Sequence, residues 1–220
     1  MKLNLGSILA IAAIICVPAS AQTVDEIITK NVAARGGSEK IKALKSVRIT
    51  GRVEVAPGME APFTIEMKRP ERFRMDFTIQ GLTAMQAYDG KSGWQVMPFN
   101  GNKNAEPLSP EDTKDAQENA DFDGPLMDYK GKGNQVELLG KEEVDGAPTY
   151  KLKISMKNGD VIQEFIDTES NLEVKEISTR TINGTPKVVE QSFGDYKPVE
   201  WIMFPFALEN GVKDSDQKQK

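Results

Sequence analysis

The sequence predicts a mainly β protein with added helices. About ten or eleven antiparallel strands form a broad curved sheet, and an N-terminal helix and short central helices cover its concave face. Three observations carry that reading. From residue 46 onward apolar residues alternate with polar ones at period two. Asp-Gly and Asn-Gly pairs recur between the alternating runs, as hairpins require. Near residues 23 and 109 the alternation gives way to helix-start signals.

Ahead of these elements, Lys2 supplies a positive start, "ILAIAAIICV" an apolar core and Ala19-Ser20-Ala21 a small-x-small cleavage pattern. That apolar run is shorter than the roughly 20 residues of a permanent span, so residues 1–21 read as a cleaved signal peptide. Cys16 suggests lipid modification, but Ile15 before it is bulkier than a lipoprotein signal wants. Cleavage removes the only cysteine, so burial rather than a disulfide must hold the mature chain in an oxidising compartment. Residues 22–209 are expected to form one domain and residues 210–220 a disordered polar tail, without repeats or low-complexity linkers. No later stretch is apolar enough to span a bilayer, so the mature product is expected to be soluble and periplasmic.

The net charge of −5 becomes more negative once Lys2 is lost, which argues against nucleic acid or an anionic membrane as partner. The chain contains 0 histidines. The usual general base, the commonest transition-metal ligand and the partner of a serine or cysteine nucleophile are all missing. No catalytic residue, metal or cofactor is expected.

The elements follow in order. "TVDEIITKNVAARGG" is a helix: Thr23 and Glu26 have capping-box spacing, Gly36 can close the end, and Val24, Ile27, Ile28 and Val32 share a face. "SEKIKALK" reads as a second short helix. In "SVRITGRVEV", Val47, Ile49, Val53 and Val55 alternate with Arg48, Thr50, Arg52 and Glu54. "FTIEMK" puts Phe63, Ile65 and Met67 on one face. "RFRMDFTIQ" does the same with Phe73, Met75, Phe77 and Ile79, after a turn at Pro70-Glu71. "LTAMQAYDG" and "KSGWQVMP" form a hairpin about Asp89-Gly90, with Trp94 against the interior. Ser109-Pro110-Glu111-Asp112 starts a polar helix whose apolar underside is Ala116, Ala120 and Phe122. "DFDGPLMDYKGKG" reads as another short helix, capped by Asp123, with Leu126 and Met127 as contacts. Five further strands lie between residues 134 and 196, with turns at Asp145-Gly146, Asn158-Gly159 and Asn183-Gly184. Tyr150, Leu152, Ile154 and Met156 share one side. "WIMFPFALE" closes the ordered chain.

A meander of so many twisted strands, apolar on one face, must curl to hide that face. The few short helices cannot fill the concavity, so room is left between helix and sheet. Met67, Met75, Met97 and Met156 can re-pack around guests of different shape, and Phe63, Phe73 and Phe77 supply area. Ile65, Ile79, Trp94, Leu152 and Ile154 complete the expected lining. The same periodicity also fits a plain filled core.

The segments "RGGSEKIKALKSVRITGRV", "PFTIEMKRPERFRMDF", "QAYDGKSGWQVMPF", "DFDGPL", "MKNGD" and the late "MFP" together resemble periplasmic outer-membrane lipoprotein-sorting proteins of the LolA/LolB-like superfamily, from about Val24 to Glu209. The resemblance implies an incomplete antiparallel barrel wrapped around helices, with a hydrophobic cavity for acyl chains of lipids or lipoproteins. It implies a monomeric, non-enzymatic carrier that passes cargo between membrane-bound donor and acceptor proteins. It also implies an arginine tying sheet to lid, whereas Arg48, Arg52, Arg72 and Arg74 read as outward-facing.

Two other function classes stand beside the carrier. A sensing module would bind lipid without moving it, with Trp94 and Trp201 as a recognition rim or as ordinary packing. A carboxylate hydrolase would need two acids in the cleft. Asp76, Glu66 and Glu164 lie in strands, and the first two alternate outward. The acids from Glu106 to Asp123 lack the spacing of a calcium loop and fit a solvated helix.

Overall fold

The structure, a computed structural model, describes residues 22–56, 58–101, 103–182, 184–213, 215 and 218–219. The expected signal peptide, Cys16 included, and the Asn183 half of one expected turn lie outside the described residues.

Helix α1 (Val24–Ala34) starts as its sequence dictates. The Thr23 hydroxyl accepts from the Glu26 amide at 3.2 Å, and the Thr23 amide donates to the Glu26 carboxylate at 2.9 Å. Ile27 and Ile28 are buried. Helix α2 (Ser38–Ala43) buries Ile41.

Six strands follow: β1 (Ser46–Ala56), β2 (Met59–Lys68), β3 (Arg72–Ile79), β4 (Leu82–Tyr88), β5 (Gly93–Val96) and, after a 3-10 turn at Pro98–Asn100, β6 (Glu106–Pro107). They form an antiparallel meander in sequence order, sheet 1. Helices α3 (Pro110–Ala120) and α4 (Tyr129–Lys132) interrupt the strands. The chain continues through β7 (Gln135–Val144), β8 (Ala147–Ser155), β9 (Val161–Asp167), β10 (Glu173–Ile182), β11 (Thr185–Val199), β12 (Ile202–Val212) and β13 (Lys218–Gln219), which form sheet 2, again in sequence order. Edge strands β1 and β13 approach one another, whereas the helical segment separates β6 from β7. The result is the expected incomplete barrel.

Two inner layers fill much of it. Ile27, Ile28 and Leu126 pack on Tyr150, Leu152, Ile154, Ile162 and Ile166 of sheet 2. On sheet 1, Ala116 and Ala120 of α3 pack with Leu108 on Phe73 and Tyr88. A smaller cluster of Ile41, Met127 and Ile202 joins α2 to β12.

Three local expectations need correction. The second central helix covers only Tyr129–Lys132, with Asp128 rather than Asp123 at its N-cap position. Gly124 at φ +81° breaks any earlier start, and Asp123 is taken by Arg69 instead. The β4–β5 connection is a four-residue loop, Asp89–Ser92, and not a two-residue turn. Asp89 Oδ1 accepts from the amides of Lys91 and Ser92, both at 2.9 Å, which organises the wider loop. At the C-terminus β12 runs on to Val212 and β13 pairs with it, where the sequence reads as a solvated tail.

Candidate functional site

Strand register places Phe63 opposite Phe77, Ile65 opposite Met75 and Met67 opposite Phe73. Val47 and Ile49 of β1 extend the same face. Directly opposed residues share a face, so seven residues expected from the sequence, Phe63 to Ile79, stand together. The face points inward, because α3 lies on it. Phe73 is fully covered by that contact, whereas Ile65, Met67, Met75, Phe77 and Ile79 stay half-buried. These residues form an apolar trough beside α3 that the helix covers only in part. Phe99 stands at its rim, 41 % exposed, its ring centroid 5.6 Å from that of Phe77.

Phe63 lies flat on the wall for a local reason. Its cross-strand partner is Gly51, and a Cβ built there would sit 2.6 Å from the Phe63 ring. The ring therefore occupies the space of the absent side chain and does not project into the trough.

The second wall is β12, where Ile202, Phe204, Phe206 and Leu208 fall on one face at period two. Ile202 and Phe204 pack toward α2, and Phe206 continues the face 55 % exposed. These residues were missing from the expected lining. The signal was present in "WIMFPFALE", whose alternation matches that of the strands before it.

Sheet 2 contributes a polar wall. Arg180 of β10 donates to Glu118 at 2.6 Å and to Asp115 at 2.9 Å, both on α3. Lys114 donates to Asp160 at 2.5 Å and Asn158 donates to Glu118 at 2.6 Å. Thus α3 is held to sheet 1 by alanines and to sheet 2 by ions. Burial raises the Glu118 carboxyl above its ordinary range even though Arg180 opposes that shift. A second arginine knot lies near α2. Arg69 donates to Asp123 at 2.5 and 2.9 Å and to the carbonyls of Ile41 and Leu44, and its guanidinium covers the Phe122 ring. Burial works against the Asp123 carboxylate, but Arg69 outweighs it and the net shift is downward.

Three solved structures share this architecture. A LolA superfamily protein from Nitrosomonas europaea matches with a TM-score of 0.56 and 14% identity, over 90% of each chain. A DUF1329 family protein from Desulfovibrio piger matches at 0.60 and 12%, over 89% of each chain. A domain from Vibrio parahaemolyticus, designated an outer membrane lipoprotein-sorting protein domain, matches at 0.57 and 11%, over 88% of this chain and 87% of that one. The fold is LolA-like. No protein-family model and no curated protein matches the sequence.

Within this LolA-like fold, three expected lining residues stand elsewhere. Trp94 pairs with Ala87 and Pro107, on the face opposite to Tyr88 and Gly93, so it belongs to the outer wall. Its strand is short and its register is set by the wide Asp89 loop, which sequence alternation alone does not fix. Leu152 and Ile154 point inward as expected but are each 0 % exposed beneath α1, so they are filled core rather than lining. Arg48, Arg52, Arg72 and Arg74 alternate with the trough residues on the outer face, and Arg180 supplies the tie between sheet and helix. A depression of about 480 Å³ over the ends of β1–β3 has Val47, Met67 and Phe73 of the trough face among its lining, with Arg48, Glu66, Lys68, Arg72 and Arg74 around them.

Of the strand acids, Glu66 and Asp76 face outward, paired with Arg48 and Arg74. Glu164 faces inward, 5 % exposed. Among the described residues no helix is long and apolar enough to cross a membrane, and no cluster of metal-ligating side chains is found.

Proposed function

We propose that this protein binds acyl chains of lipids or lipoproteins along the trough of β1–β3 and carries them through the periplasm between membrane-bound donor and acceptor proteins. The supporting observation is an inward-facing row, Ile65, Met67, Met75 and Phe77, that is apolar and half-buried inside the fold. Apolar side chains turned inward normally become fully buried, as Leu152 and Ile154 are. A row left half-wet costs the protein stability that a hydrocarbon guest restores, at about 0.8 kcal/mol per methylene. Unbranched Met67 and Met75 adapt to chains of different shape. The LolA-like fold is the architecture such a carrier needs. In this reading the chain from residue 22 through the β12–β13 pairing forms one monomeric carrier domain behind a cleaved leader, and no step of catalysis is involved.

Titration with a fluorescent acyl-chain probe tests the binding. Saturable uptake by the wild type and loss of uptake in Ile65→Glu support it; equal uptake by the variant overturns it. Transfer of labelled lipid from donor to acceptor vesicles then separates carriage from sensing. Acceleration by the protein indicates a carrier, and binding without acceleration indicates the sensing module.

A further inference from the structure

The interior is apolar on one wall and acidic on the other. Glu164 of β9 stands directly opposite Glu176 of β10, so both carboxyls occupy the inward face of sheet 2. Helix α3 touches both walls, packing its alanines on sheet 1 and pairing its acids with Arg180 of sheet 2.

The charges around this pair do not balance. Glu164, Glu173, Glu176 and Arg180 come from β9 and β10, Arg35 from the end of α1, and Asp115 and Glu118 from α3. Lys187 stands opposite Arg180 on β11 and is exposed; Tyr196, also on β11, gives its hydroxyl to the Glu173 carbonyl at 2.9 Å. Arg180 is occupied by Asp115 and Glu118, and Arg35 lies 3.8 Å from Glu173. Neither Glu164 nor Glu176 forms an ion pair among the described residues. Glu176 is half-buried and takes a hydrogen bond from the Ser178 hydroxyl. Glu164 is 5 % exposed, and its Oε2 has no hydrogen-bond partner. A buried oxygen without a donor is rare in folded proteins and asks for an explanation.

We propose that Glu176, backed by Glu164, forms a subsite for the ammonium head of an amphipathic amine whose hydrocarbon tail lies in the trough. The inference rests on the acyl-binding reading and names the head-group class. An ammonium brings one positive charge and three donors on a compact centre. It matches an interior with two uncompensated carboxyls and a free acceptor. A fatty acid brings a third carboxylate to the same wall and is disfavoured. Burial, then the like charges of Glu173 and Glu176, push the Glu164 carboxyl well up, and burial pushes Glu176 up, so without a guest the pair keeps a proton to higher pH than ordinary carboxyls do. Amine binding displaces that proton, so amine affinity rises with pH until the carboxyls are ionised. A neutral amphiphile shows no such rise.

The test displaces a neutral fluorescent acyl probe from the full-length mature protein with a long-chain alkylamine, a monoacylglycerol or a fatty acid of equal chain length. The expected order is amine, monoacylglycerol, fatty acid, with about tenfold between the ends. In Glu176→Gln the amine-to-monoacylglycerol affinity ratio falls at least about fivefold, and in Glu164→Gln its pH dependence flattens. The wild-type order requires no variant to fold. A fatty acid that binds as tightly as the amine, or an unchanged ratio in Glu176→Gln, overturns the subsite and leaves acyl binding standing. Failure of all three ligands to displace or bind overturns both.

Discussion

Replacing Gly51 with alanine should narrow the trough by displacing the Phe63 ring that lies over it. The Gly51 backbone is an ordinary extended strand, so alanine fits the conformation and even regains about 0.5–1 kcal/mol of backbone entropy. Space is the obstacle. The new Cβ meets Phe63 Cζ at 2.6 Å and Cε1 at 2.7 Å, and the ring must give way by roughly an ångström to reach normal contact. Sheet backbone lies behind the ring, so its free direction is into the trough. There it displaces about two or three methylenes of an acyl guest, each worth ~0.8 kcal/mol. The expected cost is therefore about 2 kcal/mol, or roughly thirtyfold in Kd for an acyl probe. Overall stability, followed by urea denaturation, should change by less than about 1 kcal/mol. The double variant Gly51→Ala with Phe63→Leu removes the offending ring and should recover most of the affinity, giving a non-additive cycle. Unchanged probe affinity in Gly51→Ala, or no recovery in the double variant, would refute the idea that this ring borders the guest.

Other expectations follow from the same contacts. Leu152→Ala should destabilise the protein by about 2–5 kcal/mol in urea denaturation, with little effect on probe affinity once folded, because Leu152 belongs to the core under α1. The raised Glu164 carboxyl makes wild-type stability fall as pH rises from the unfolded carboxyl range through its folded value, since the folded state retains a proton that the unfolded state has lost. Glu164→Gln should remove that part of the slope, so the variant gains on the wild type as pH rises above the ordinary carboxyl range. Arg180→Met should leave Glu118 partly buried without its cation, costing about 1–3 kcal/mol. Amide hydrogen exchange in α3 should then accelerate more than in the strands.

The meander was legible because its evidence is local. Alternation at Val47–Val55 and Phe63–Ile79 decides which face is dry, and the Thr23 and Ser109 caps decide where two helices begin. The extent to which each inward residue is covered was not legible. Phe73 and Ile65 have the same period and chemistry, yet Ala116 and Ala120 cover the first and leave the second half open. The short underside of α3 hinted at this, but not which strands it would meet. Trp94 shows the limit of alternation in a four-residue strand, where one step of register exchanges inside for outside. The facing of Glu164 and Glu176 depends on pairing two strands through a bulge near Glu173, information that neither strand holds by itself. The ties made by Arg69 and Arg180 span 54 and 62 positions of chain to Asp123 and Glu118, and no local pattern announces them.

Photo-crosslinking with a diazirine-bearing acyl chain, followed by mass-spectrometric mapping of the adducts, bears most directly on the trough. Labelling concentrated on the β2 and β3 peptides that carry Ile65, Met67, Met75 and Phe77, and competed by unlabelled lipid, is the predicted result. Adducts confined to the outer-face arginines, or spread over the surface without competition, would contradict it.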